Sequence, residues 1–158
     1  MILTMKLILP ETRINLYELF AVIDTNVLIS ALLSDKEDAA TVQVVKKIIS
    51  GDIVSIYSHD IAHEYKIVLN RSKFNFSREK IDFLLNSIFY FGILFEPVLY
   101  DFAMPDVNDL PFYLAAAQNQ DKNSFLVTGN VKHFPAEPFI VTPRQLIDIL
   151  NKEQLNKI

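Results

Sequence analysis

A central parallel β-sheet with helices on both faces, a three-layer α/β/α domain, is expected for this chain on two observations. Short apolar runs of strand length alternate with amphipathic helical repeats from end to end. No linker, internal repeat or low-complexity stretch interrupts that alternation, and 158 residues, 51% of them hydrophobic and 22% charged, suit one well-filled core.

The elements follow in order. Phe20-Ala21-Val22-Ile23 reads as a buried strand ending at Asp24, and a helix follows over Val27 to Leu33. From Ala39 to Ser50, the spacing of Val42, Val45, Ile48 and Ile49 gives one helical face, with Gly51 placed to cap it. Ile53 to Tyr57 is a second strand, and Ser58 is a cap for a helix running to about Asn70. After a polar break, Ser77 opens a helix to about Tyr90 with Ile81, Leu84, Leu85 and Ile88 on one side, and Gly92 ends it. Ile93 to Leu99 is then extended, Asp106 to Pro111 is a turn, and a helix covers about Phe112 to Asn119. Ser124 to Thr128 and Phe139 to Val141 are the last strands, with Pro143 opening a final helix to about Leu150.

Composition excludes several chemistries. Three glycines, Gly51, Gly92 and Gly129, are too dispersed for a P-loop or a dinucleotide fingerprint. The absence of cysteine removes disulfides, thiolate zinc sites and cysteine nucleophiles, and is compatible with a cytoplasmic protein. The longest near-continuous apolar run, Ile88 to Phe95, falls far short of the roughly 20 residues that span a bilayer, and the N-terminus lacks signal-peptide features. A net charge of −4 argues against a passive nucleic-acid-coating protein, but a local basic face exists in Lys66, Arg71, Lys73, Arg78 and Lys80. A solvated helix surface is the other reading of that face.

Ligands of an open parallel sheet bind beyond the carboxyl ends of its strands. Asp24 and the Thr128-Gly129-Asn130 turn lie there, Asp106 and Asp109 precede a nearby helix, and Glu64 stands about one and a half turns into another. Each has a structural alternative. Asp24 and Asp109 are also natural helix caps, Glu64 an ordinary surface glutamate, and Asn130 a residue tolerant of a left-handed turn. Taken together, converging carboxylates need a counter-charge, and an all-oxygen donor set suits Mg²⁺ or Mn²⁺. A zinc site on His59 and His63 is the weaker metal reading. The residue after His59 is Asp60, where the hydrolase motif has Glu, and His133 would have to complete the ligand set.

Val22-Ile23-Asp24-Thr25-Asn26-Val27-Leu28-Ile29-Ser30 resembles the opening motif of PIN-domain proteins, and Leu126-Val127-Thr128-Gly129-Asn130 with His133-Phe134-Pro135 resembles their fourth-strand motif. Ser58 through Leu69, around Glu64, is similar to their second acidic segment. Pro105-Asp106-Val107-Asn108-Asp109 before Ala115-Ala116-Ala117 is similar to the third, and Ile140-Val141-Thr142-Pro143 to the usual end. The likeness spans about Ala21 to Leu150, and PIN proteins classed as toxins of bacterial toxin–antitoxin pairs are particularly similar.

That resemblance implies a single PIN-like domain over residues 20–158, a 1–19 extension, and a metal-dependent endoribonuclease. Asp24, Glu64 and Asp109 would hold Mg²⁺ or Mn²⁺, with Asp106 joining them or replacing Asp109. Thr25, Asn26, Thr128 and Asn130 would orient ligands and water. Lys66, Arg71, Lys73 and Lys132 are the candidate RNA contacts, with a protein antitoxin and a second copy of the chain as expected partners. Phe83, Phe89, Tyr90 and Phe91 offer a patch for such a dimer, or else fill the core. Two departures stand out: Asn130 occupies a position where many members carry a fourth acid, and the first strand is preceded by an extension that relatives usually lack. An extra helix around Tyr17-Glu18-Leu19 is one expectation for that extension.

The competing reading keeps the fold without turnover, as an RNA- or protein-binding module. Haloacid-dehalogenase-like phosphatases are disfavoured because Asn26 replaces their second aspartate, and the acidic pair and lysine of response regulators are missing.

Overall fold

The computed structural model describes residues 18–157. Its sheet is built from five parallel strands in the order β3-β2-β1-β4-β5. β1 (Leu19–Ile23) is central and almost wholly buried, which explains its unbroken apolar sequence. α1 (Thr25–Leu33) and α2 (Ala40–Ser50) carry the chain over to β2 (Ile53–Tyr57). Gly51 closes α2 in the left-handed conformation at φ 81°, where a side chain is disfavoured. α3 (His59–Leu69), capped by Ser58, and α4 (Arg78–Phe91), capped by Ser77, lead to the edge strand β3 (Ile93–Leu94).

A 3₁₀ turn over Val107–Asp109 runs directly into α5 (Leu110–Ala117), which packs on β1, β2 and β4. β4 (Phe125–Val127) and β5 (Ile140–Val141) complete the sheet, and α6 (Pro143–Leu155) packs on α2. Thr142 and Gln145 form a reciprocal capping box at the start of α6. Helices therefore lie on both faces, and Val22, Ile23, Leu28, Ile56, Leu84, Leu114 and Leu126 are among the side chains of one shared core.

Several boundaries differ from the sequence reading. Leu19 opens β1, so the helix expected around Tyr17-Glu18-Leu19 does not include it, and Tyr17 with the rest of 1–17 lies outside the described residues. The extended stretch from Ile93 pairs only through Phe95, whose N–H donates to the Tyr57 carbonyl at 2.8 Å. Beyond Pro97 the Gln118 side-chain amide takes the place of a neighbouring strand. It accepts from the Val98 N–H at 2.8 Å and donates to the Val98 carbonyl at 2.7 Å. α5 starts at Leu110 because proline is tolerated in a first turn, and α6 continues past Leu150 through residues that suit helix.

The aromatic patch divides. Phe83 and Phe89 are half-buried, with Phe89 against Tyr57 at a ring separation of 4.9 Å, whereas Tyr90 and Phe91 are exposed. Among the described residues no helix is long and apolar enough to cross a membrane.

Candidate active site

β1 and β4 are neighbours with their connections leaving in opposite directions, the point at which parallel sheets open a crevice. Asp24 sits there. Its own N–H continues the ladder to the Val127 carbonyl at 2.9 Å, which fixes the backbone and buries the side chain. One carboxylate oxygen accepts from the Asn26 N–H at 3.4 Å, and the other accepts from the Thr128 hydroxyl at 2.8 Å. Asp24 is thus a helix cap and a member of the crevice at once. Burial pushes its carboxyl above the ordinary value, against the lowering effect of the Thr128 and Asn26 hydrogen bonds.

Glu64 arrives from α3, half-buried, and accepts from the Thr25 hydroxyl at 2.8 Å. Its carboxyl is raised by burial first and then by the charges of Asp24 and Asp109. Asp109 is the third acid. It precedes α5 without capping it, and its buried Oδ2 has no hydrogen-bond partner. The nearest cation candidate is the His133 Nδ1 at 3.9 Å, beyond hydrogen-bond reach. Burial raises Asp109 most, followed by the fields of Asp24 and Asp106.

Asp24, Glu64 and Asp109 therefore feel one another electrostatically although 85 positions separate the first from the last (109 − 24). Asp106 stands further out. It is exposed, and one of its oxygens is used by the Asn108 N–H at 2.9 Å to cap the turn. Thr128 is a hub, donating to Asp24 and accepting from the Asn130 N–H at 3.0 Å. Asn26 and Asn130 serve through their backbone N–H groups, and both residues are exposed. Asn130 has φ −133°, so the left-handed turn is not what it supplies.

Two supporting groups escaped the sequence reading. Tyr65, fully buried, donates its hydroxyl to the Ile23 carbonyl directly before Asp24, tying α3 to the end of β1. Its position one residue after Glu64, on the buried side of α3, was the available signal. His133 was read as part of the fourth-strand motif and as a possible zinc ligand, but its place was not: it lies beside Asp109 and its charge lowers both Asp24 and Asp109. His59 is drawn off to Glu96, which also accepts its N–H at 2.9 Å.

The basic residues scatter. Lys66 lies over the Phe89 ring at 5.5 Å and Lys73 over Phe74 at 5.0 Å, while Lys132 borders a separate depression with Glu137 and Gln145. Only Arg71 lines the same groove as Glu64.

Could this cluster hold a divalent cation? The donors are carboxylate and hydroxyl oxygens, and one carboxylate oxygen is buried with nothing to satisfy it, which is the electrostatic situation a hard cation relieves. Among the described residues no three acidic or histidine side chains already close into a metal cage. Mg²⁺ needs no such cage, since it is commonly bound by one or two carboxylates, waters and substrate phosphate. The residues fit the ion.

A doubly covered parallel sheet with an acidic crevice at its switch point defines an α/β domain with a ligand site at the carboxyl ends of its strands. The chain belongs to the PIN domain family, whose sequence model matches residues 21–132, from β1 through the turn after β4. Members of that family are generally nucleases and typically use divalent metals. No curated protein and no solved structure gives a significant match.

Proposed function

We propose that this protein is a metal-dependent endoribonuclease that hydrolyses RNA phosphodiesters, with Asp24, Glu64 and Asp109 holding Mg²⁺ or Mn²⁺. The observation that carries the reading is the buried, unsatisfied Asp109 oxygen in a cluster whose negative fields act on one another: those of Asp24 and Asp109 raise the Glu64 carboxyl, and those of Asp24 and Asp106 raise Asp109. A bound divalent ion supplies charge neutralisation at the phosphate and lowers the pKa of a coordinated water. The protein's part is positional. Thr25 orients Glu64, Thr128 orients Asp24, and Tyr65 anchors the backbone between them. Asp106, capping the adjacent turn, shapes the loop that presents Asp109.

The likeness of the four motifs supports the finer reading of a cytoplasmic toxin neutralised by a protein antitoxin, with a homodimer as its working form. Asn130 favours the second reading, an inactive RNA- or protein-binding module, because an exposed amide stands where a fourth charge would strengthen the cluster.

One assay separates the two. Purified chain is incubated with single-stranded RNA in Mn²⁺, in Mg²⁺ and in EDTA, alongside Asp24→Asn. Cleavage that requires the ion and is lost in Asp24→Asn supports the nuclease. RNA that stays intact under every ion, or an Asp24→Asn variant that cuts at full rate, overturns it.

A further inference from the structure

Asp60, Glu64 and Ile67 of α3, Arg71 just past the helix end, and residues of the 107–111 turn line one groove of about 490 Å³. Its opposite wall includes Val107 and Asn108, the residues immediately before Asp109. The groove therefore shares Glu64 with the carboxylate cluster, and two of its other lining residues adjoin Asp109 in the chain. Its volume lies within the usual range of small-ligand sites, about 300–1,000 Å³.

Its chemistry is polarised. Asp60 and Glu64 make one end acidic, and Arg71, past the end of the helix, makes the other cationic. Among the described residues no carboxylate lies within ion-pair distance of the Arg71 guanidinium, although its field reaches Glu64. Aliphatic side chains also line the groove, and they are left in water: Ile67 is 51% and Val107 76% exposed. A phosphate is repelled at the acidic end and attracted at the cationic one. A flat apolar face matches the middle, and the Asn108 amide offers donors and acceptors to an edge. A nucleotide combines these features in that order.

We propose that this groove is the subsite for the nucleotide next to the cleaved phosphodiester. Arg71 holds its phosphate, and its base slides between Ile67 and Val107. The assignment rests on the ribonuclease reading for which phosphodiester is cut, and it extends that reading to how the strand is gripped. Lys66 and Lys73, engaged with aromatic rings, are outside the groove.

The test measures binding rather than turnover. The full chain carrying Asp24→Asn is titrated, with Mg²⁺, into a labelled single-stranded RNA of defined sequence, followed by fluorescence anisotropy. Val107→Ser, at a surface position that the core does not depend on, is expected to weaken binding about fivefold, the value of burying some 40 Å² of apolar surface. An abasic replacement at one position of the RNA is expected to cost the same in the parent and nothing further in Val107→Ser. Arg71→Gln is expected to make the slope of log affinity against log salt shallower by about 0.7, one phosphate contact on a single strand. Unchanged affinity and salt slope in both variants, or an abasic cost that persists in Val107→Ser, overturns the subsite, as does RNA that does not bind at all. Failure of the ribonuclease reading looks different: the wild-type chain cuts nothing in Mn²⁺ while the abasic coupling and the salt effect remain.

Discussion

Replacing Asp24 by asparagine separates the electrostatic role of the crevice from its structural one, because the two parts change stability in opposite directions. The structural part is the hydrogen bond from Thr128 at 2.8 Å. Converting its acceptor from carboxylate to amide loses about 1 kcal/mol, the gap between charge-assisted and neutral hydrogen bonds. An amide nitrogen on that side would require Thr128 to accept a second time, since its oxygen already accepts from the Asn130 N–H. The electrostatic part has the reverse sign. Asp24, Glu64 and Asp109 all have carboxyls raised by folding, so each contributes stability that is fully present below its ordinary value and is lost as pH rises through the raised one. The ion-free wild-type domain should accordingly compare better with Asp24→Asn at an acidic pH, below the ordinary carboxylate value, than at a neutral pH. A divalent ion at 100 times its Kd restores about 2.7 kcal/mol, which for a domain of this size is a rise of about 5–11 °C in Tm. Thermal unfolding by circular dichroism, at both pH values and with EDTA, Mg²⁺ or Mn²⁺, reads every part of this. The expected result is an ion-dependent rise in the wild type that is mostly absent in Asp24→Asn. An equal ion-dependent rise in both proteins, or a stability difference that ignores pH, would refute the reasoning.

Three other substitutions probe the remaining parts. Thr25→Val removes the hydroxyl that holds Glu64 and should lower cleavage about 10- to 100-fold, with Thr25→Ser recovering most of the loss in a steady-state assay. Asp109→Asn should abolish cleavage, whereas Asp106→Asn, whose amide oxygen can still accept from Asn108, should cost about tenfold or less; equal losses would move Asp106 into the cluster. At Gly92 an added Cβ would meet the Ile88 carbonyl oxygen at 2.3 Å and the Ser55 carbonyl oxygen at 2.7 Å, and both are backbone. Gly92→Ala should therefore destabilise by about 1–3 kcal/mol in urea unfolding while leaving cleavage per folded molecule unchanged.

The elements that were legible in the sequence are those whose signal is local. β1 reads as a strand because Phe20 to Ile23 is apolar without a break, and Ser58, Ser77 and Gly51 announce their helix ends by their own side-chain or backbone chemistry. What was not legible depends on contacts from afar. The ladder fades after Phe95 because Gln118, more than twenty residues downstream, supplies the hydrogen bonds of a strand. Lys66 reads as a surface cation on α3, yet its direction is set by Phe89 on another helix. Within the basic run from Lys66 to Lys80, Lys66 and Lys73 lie over aromatic rings and Arg71 lines the groove with Glu64, surroundings that the order of charges along the chain does not show. Tyr65 shows the converse: a buried residue within that run anchors the carbonyl that precedes Asp24.

Topology also explains why separately weak acidic positions carry a joint meaning. Asp24 ends β1, and its partner Thr128 ends β4, and these strands are adjacent only because the chain first builds β2 and β3 on one side and then crosses to the other. The crossing leaves an opening over which no connection passes, and the turn before α5 delivers Asp109 to it. Each of these carboxylates is more costly to ionise in the folded chain than in water. Selection for stability alone would replace them with apolar or amide side chains, as a buried charge without a counter-charge is destabilising. Asp24 does offer a cap in return, but an asparagine or serine caps as well without the charge. Asp109 offers no cap bond at all. The acid at position 109 is therefore unexplained by the fold's own stability, which is the ground on which a divalent cation is proposed for the crevice.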